Sequence, residues 1–238
     1  MKEYFVFMGG FGSGKSELAI NLALQKATEG ACTLVDMDVV NPYFRSTERN
    51  DVLSKAGVRL IAPPFAMHKI EIMSLSGEIF AAFVQPDGTA IFDAGGNSVG
   101  AISLGQYQPQ FNAIPPENLH VLLVVNPMRP LTETAQKAYE LMQDIQRTSR
   151  LQVNGLINNA NLVDETTEEE LHVGYDVVRE LSEMTGIPVY ATAGAGDKLE
   201  KFLAYAKEKG LDERYIGRPM PIGIQMHRTW NKFLKEGL

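Results

Sequence analysis

Residues 9–16 read Gly9-Gly10-Phe11-Gly12-Ser13-Gly14-Lys15-Ser16 and meet the pattern G-x-x-x-x-G-K-[ST] at every fixed position. Such a stretch is neither strand nor helix. Its glycines reach backbone conformations closed to other residues, so successive N–H groups can converge on one point. The flanks fit the same picture: Tyr4-Phe5-Val6-Phe7-Met8 is a short apolar run of strand character, and residues 17–26 carry a helical pattern. Strand, glycine loop and helix in that order make an anion cradle, because the helix adds its partial positive N-terminus to the converging N–H groups. Gly10, Phe11, Gly12, Ser13, Gly14, Lys15, Ser16 and Glu17 are the expected lining. Lys15 is expected to reach the β- and γ-phosphates of a nucleoside triphosphate, and the Ser16 hydroxyl to complete a Mg²⁺ shell.

The chain has 238 residues, enough for one α/β domain with a sizeable core, and residues 1–238 are expected to form a single nucleotide-binding domain. A net charge of −7 argues against a nucleic-acid partner, which usually demands a basic excess. Cys32 is the only cysteine, so no intramolecular disulfide can form and a cytoplasmic protein is expected. Its place in an apolar run points to a packed thiol rather than a reactive one. The N-terminus enters the first strand without a signal pattern, and no apolar run is long enough to span a membrane.

Apolar runs alternate with helical patterns along the chain, the sign of a mostly parallel sheet in a three-layer α/β fold. About seven strands are expected, at residues 4–8, 33–35, 58–61, 89–92, 120–125, 153–157 and 188–191. Helices are expected over residues 72–83, 132–148 and 198–209, and Thr166-Thr167-Glu168-Glu169 opens a further one with cap-like chemistry. Beyond Gly210 the pattern is less regular, and Pro219 and Pro221 break any long helix.

In an open parallel sheet, ligands sit outside the carboxyl ends of the strands. Candidate residues recur there. Asp93 ends an apolar strand where a carboxylate can hold Mg²⁺, and Gly96 completes Asp-x-x-Gly, whose backbone N–H can meet the γ-phosphate. Asp36 and Asp38 end the second strand and point the same way. One role is Mg²⁺ contact through water, the other is placing the attacking water; turn and cap roles fit the same residues. Asn158 and Asn159 end the sixth strand, where an amide can pair with an adenine edge or cap a helix. A guanine-reading Asn-Lys-x-Asp is absent, because Asn159-Ala160-Asn161-Leu162 lacks both the Lys and the Asp, and this favours ATP. The backbone of Ala193-Gly194-Ala195-Gly196-Asp197 is a further candidate for contact with the base.

Over about residues 3–205 the chain resembles the MinD/ParA/CobQ-like branch of the SIMIBI-class P-loop NTPases. The resemblance rests on residues 9–16, on Asp36-Met37-Asp38, on Asp93-Ala94-Gly95-Gly96, on Asn126-Pro127 and on Gly155-Leu156-Ile157-Asn158-Asn159. It implies Asp38 as the water-activating residue of the first switch, Asp93 as the second-switch carboxylate and Asn159 as the adenine contact. It further implies ATP and Mg²⁺ as ligands and a nucleotide-sandwiched homodimer acting on a protein partner. The branch's hallmark loop, Gly-Lys-Gly-Gly-x-Gly-Lys-Thr/Ser, carries an early lysine that reaches across the dimer, and Gly10 stands in its place here. Arg45 and Arg49 are candidate substitutes, or solvated arginines of a helix start.

Asn41-Pro42-Tyr43-Phe44-Arg45 follows the first switch and suits either a nucleotide-sensitive surface or a core cover. Trp230, Phe233, Leu234 and Leu238 in the tail suit a terminal helix docked on its own domain better than a membrane-surface helix. His68, His120 and His172 show no metal-ligand spacing. The expectation is a Mg·ATP-dependent switch ATPase with Asp38 and Lys15 as catalytic residues and Ser16, Asp93 and Asp36 around the metal. An ATP-dependent ligase or kinase of the same fold, and a non-hydrolysing ATP-binding regulator, are the other readings.

Overall fold

The computed structural model describes residues 2–37, 50–62, 78–85, 87–96, 98–161 and 166–225. The chain alternates strand and helix. β1 (Glu3–Met8), β2 (Cys32–Asp36), β3 (Val58–Ile61), β4 (Thr89–Asp93), β5 (Leu119–Val125), β6 (Gly155–Asn158), β7 (Val189–Gly194) and β8 (Arg218–Pro221) form one sheet. Its eight strands run in the order β3-β2-β4-β1-β5-β6-β7-β8, and every pairing is parallel.

The apolar runs are continuous because both sheet faces are covered. Tyr4, Val6 and Met8 of β1 point to one face, and Phe5 and Phe7 to the other. α1 (Lys15–Ala27) and α2 (Asn50–Lys55) cover the second face through Leu18, Ile20, Leu22 and Leu53. The first face packs against α3 (Ile79–Val84), α4 (Ser98–Gly105), α5 (Gln108–Asn112), α6 (Ala135–Ser149) and α7 (Glu168–Thr185). Phe83, Phe92 and Phe111 meet there with ring centroids 5.0 to 5.1 Å apart, the spacing of tilted and edge-to-face pairs. α8 (Gly196–Lys209) closes the β7–β8 end by packing Leu199 and Phe202 against Leu171 and Tyr175 of α7.

Cap chemistry sets the helix ends. Thr134 opens α6 by accepting the Lys137 N–H at 3.3 Å. Thr167 opens α7 in a reciprocal capping box with Glu170, whose carboxylate accepts the Thr167 N–H at 2.7 Å. The hydrogen bonds from Thr167 hold the Glu170 carboxyl below its ordinary range. α1 differs: Gly14 at its N-cap, in the left-handed region, supplies no side-chain cap.

The last strand departs from expectation. β8 lies in the stretch read as irregular, and makes eight strands rather than seven. It is an edge strand, and the residues that bond to β7 are those between and beyond its prolines: Ile222 N–H donates to the Gly194 carbonyl at 2.9 Å. Pro219 and Pro221 face the open edge, where a missing N–H costs no ladder bond. α3 begins at Ile79, and the first half of the helix expected over residues 72–83 lies outside the described residues. Among the described residues no helix is long and apolar enough to cross a membrane.

Candidate functional site

β1 is the pivot of the sheet. It leads through α1 to β2, beyond β4 on one side, whereas β4 leads across it to β5 on the other. Where connections diverge in this way, a crevice opens at the carboxyl ends of the strands. Residues 9–14 leave β1 at that crevice, with φ of +147°, +71° and +92° at Gly9, Gly12 and Gly14. These values curl the loop and are strained for any residue with a Cβ. Lys15 is buried and folds back over the loop, its Nζ donating to the Gly10 carbonyl at 2.9 Å. Phe11 at the loop tip is 62% exposed.

Asp93 and Gly96 reach the loop from β4. Asp93 is paired in register with Asp36 of β2 and with Phe7 of β1, so the two carboxylates stand side by side, each 1% exposed. A Mg²⁺ site needs one or two carboxylates, a hydroxyl and oxygens from phosphate or water, and Asp93, Asp36 and Ser16 fit that donor set. A cation there would offset the repulsion of two buried like charges. Among the described residues no three acidic, His or Cys side chains cluster as a self-sufficient metal cage. Gly96 lies directly on the loop: a Cβ there would come 2.8 Å from Phe11 Cα and 3.2 Å from Lys15 Nζ. Gly100 is needed for a different reason: α4 crosses the chain after β4 so closely that a Cβ on Gly100 would come within 2.3 Å of Gly95 Cα.

The two asparagines ending β6 have separate places. Asn158 turns under α7, donating to the Leu171 carbonyl at 3.0 Å and accepting the Ala160 N–H at 3.2 Å. Asn159 turns to the loop and donates from Nδ2 to the Ser13 carbonyl at 2.7 Å. Asn159 Oδ1 and Ser13 Oγ are buried without a hydrogen-bond partner among the described residues. Glu17 points along α1, where its carboxylate accepts from Asn21 Nδ2 at 3.3 Å and from the Gln225 N–H. Asn21 also exchanges two bonds with Gly223, each 2.9 Å, so the chain after β8 is fastened along α1.

Gly10 packs near Leu131 and Leu141, with a Cβ position 3.4 to 3.7 Å from their side chains. Asp38, Arg45, Arg49, residues 41–44, His68 and the tail beyond Gln225 lie outside the described residues. Cys32 is buried, and burial pushes its thiol up to about 12. His120 stacks on Phe5 at 4.6 Å, and burial lowers its pKa, as befits a packed histidine. His172 lies 5.2 Å from Tyr205.

Sequence reasoning did not single out Arg129, in the loop between β5 and α6, whose Nε donates to the Gly12 carbonyl at 3.2 Å. Nor did it find the work of Asn126. This 1% exposed side chain accepts from Met128 N–H and Asn161 N–H and donates to the Asn161 carbonyl, joining the loops after β5 and β6. A buried strand-end asparagine followed by proline was the available signal.

The sequence matches no protein-family model and no curated protein. Solved structures do match. The chain is similar to the cell division protein FtsY of Thermotoga maritima, with TM-score 0.53 and 16% identity over 81% of this chain and 62% of that one. FtsY of Mycoplasma mycoides matches with TM-score 0.53 and 16% identity over 81% and 60% of the two chains. Chloroplast FtsY of Physcomitrella patens matches with TM-score 0.51 and 16% identity over 81% and 58%. The chain thus spans about three fifths of the length of these structures. At this identity the likeness shows the fold alone: a three-layer α/β architecture around one all-parallel sheet.

Proposed function

We propose that the chain is a Mg·ATP-binding ATPase of MinD/ParA/CobQ type, one cytoplasmic domain that switches state with its nucleotide for the benefit of a protein partner. The observation that carries this reading is the contact of Gly96 with Phe11 and Lys15, which joins the end of β4 to the phosphate loop. A group at the γ-phosphate position has to lie between these elements, so its arrival or loss repositions Gly96 and α4 behind it. Lys15 would leave the Gly10 carbonyl for the β- and γ-phosphate oxygens, and loop N–H groups would hold the rest of the chain of phosphates. Ser16, Asp93 and Asp36 would hold Mg²⁺, which supplies charge neutralisation at the transferring phosphate. Asp38 would place the attacking water.

For the base, Asn159 favours adenine. Its donor end is committed to Ser13, and its remaining acceptor, Oδ1, is the group proposed to accept from the adenine amino group. A nucleotide-dependent homodimer belongs to this reading.

Calorimetric titration of the wild type and Lys15→Ala with Mg·ATP and Mg·GTP tests it, alongside phosphate release. Tight binding of ATP by the wild type and its loss in Lys15→Ala are expected, with weakening by a chelator. Unchanged affinity in Lys15→Ala refutes the loop assignment, and preference for GTP refutes the role of Asn159. Turnover that requires a small phosphate acceptor would mark a kinase or ligase instead.

A further inference from the structure

We infer that Arg129 is a second cation of the phosphate site, binding the terminal phosphate of the nucleotide through its Nη groups while its Nε holds the loop. The inference rests on the nucleotide-binding reading above. Its ground is the placement of Arg129. The guanidinium stem runs along Gly12 at packing distance: a Cβ there would lie in van der Waals contact, 3.4 Å from Nε, 3.7 Å from Cζ and 3.8 Å from Cδ. With φ +71°, Gly12 turns its carbonyl to Nε, and the 3.2 Å bond forms.

The loop that carries Arg129 is braced on all sides. Arg129 N–H and Thr132 Oγ1 donate to the Asn126 carbonyl at 3.0 and 2.7 Å, and Thr132 N–H closes a turn on the Arg129 carbonyl at 3.0 Å. Ordering an arginine costs side-chain entropy, and one bond from Nε to a neutral carbonyl uses a fraction of its donors. No carboxylate pairs with Arg129 among the described residues. The remaining fork of N–H groups is therefore held beside a phosphate loop without an anion, and phosphate oxygens match that fork.

The end of the nucleotide concerned follows from the neighbours. Gly96 packs on Phe11, the residue before Gly12, and on Lys15 Nζ. Lys15, bonded to Gly10, and Arg129, bonded to Gly12, thus both meet the tip of the loop, where the terminal phosphate belongs.

The test is calorimetric binding of a non-hydrolysable Mg-triphosphate and of the diphosphate to wild type, Arg129→Ala, Arg129→Gln and Arg129→Lys. Loss of a charge-assisted contact predicts triphosphate binding weakened about 10- to 100-fold in the Ala and Gln variants, about threefold at most for diphosphate, and partial retention in Lys. Arg129 is partly exposed and bonds one carbonyl, so the variants should melt close to the wild type. Equal weakening for both nucleotides would reduce Arg129 to a brace of the loop, and unchanged triphosphate affinity would remove it from the site. Either result overturns the inference while leaving the nucleotide reading intact. A wild type that binds no triphosphate overturns both.

Discussion

Asn159 donates its Nδ2–H to the carbonyl of Ser13 at 2.7 Å, so the end of β6 fastens the phosphate loop from below. Asp in this position presents an oxygen to an oxygen. Asn159→Asp is therefore expected to destabilise the fold by about 2–3 kcal/mol, and Asn159→Ala by about 1 kcal/mol less. Thermal melts decide it, and an Asp variant as stable as the wild type would show that the tie contributes nothing.

Gly14 explains why the loop can approach Asn159 at all. An added Cβ would stand 2.3 Å from Asn159 Nδ2, at φ +92°. Gly14→Ala should cost about 2–4 kcal/mol, from overpacking and backbone strain together. In the double variant with Asn159→Ala the clash is relieved but the φ penalty stays, so the two effects should fall short of their sum. Strict additivity in a double-mutant cycle would mean that the residues do not meet.

Gly96→Ala tests the switch contact. The new methyl would press on Phe11 Cα and Lys15 Nζ, separating β4's end from the loop. Triphosphate affinity should fall about tenfold or more with diphosphate affinity little changed, because the N–H at this position is expected to meet the γ-phosphate. Parallel titrations with both nucleotides give the answer; equal losses would assign Gly96 to packing.

Cys32 should be silent toward thiol reagents. Burial raises it from its ordinary 9.0 to about 12, so the folded thiol stays protonated where the unfolded one ionises. The sign follows: this contribution to stability is complete below pH 9 and is lost as pH climbs toward 12. Labelling should track unfolding, and rapid labelling of the native protein at mildly alkaline pH would contradict the burial.

The capping box of α7 sets an acid limb. Thr167 holds the Glu170 carboxyl below its ordinary 4.5, so the box contributes fully above that pH and fades as pH falls further. Thr167→Ala should cost about 1 kcal/mol at neutral pH. Its melting difference from the wild type should narrow in acid; a gap that is constant with pH would mean that Glu170 takes no part.

Local pattern carried a large share of this protein. The phosphate loop, strands β1 to β7, the capped start of α7 and the carboxylates at strand ends all follow from period, turn chemistry and residue type, which act over a few neighbours. β8 was hidden because its prolines read as breakers, and only a neighbour on one side alone makes them harmless. Asn158 and Asn159 look equivalent in the chain, yet pleating sends one under α7 and the other to Ser13. Arg129 and Gly12 are far apart in sequence and carry no shared signal. What brings them together is the order of the strands, which sets the β5 loop beside the β1 loop, and the left-handed backbone of Gly12, which turns its carbonyl to the arginine.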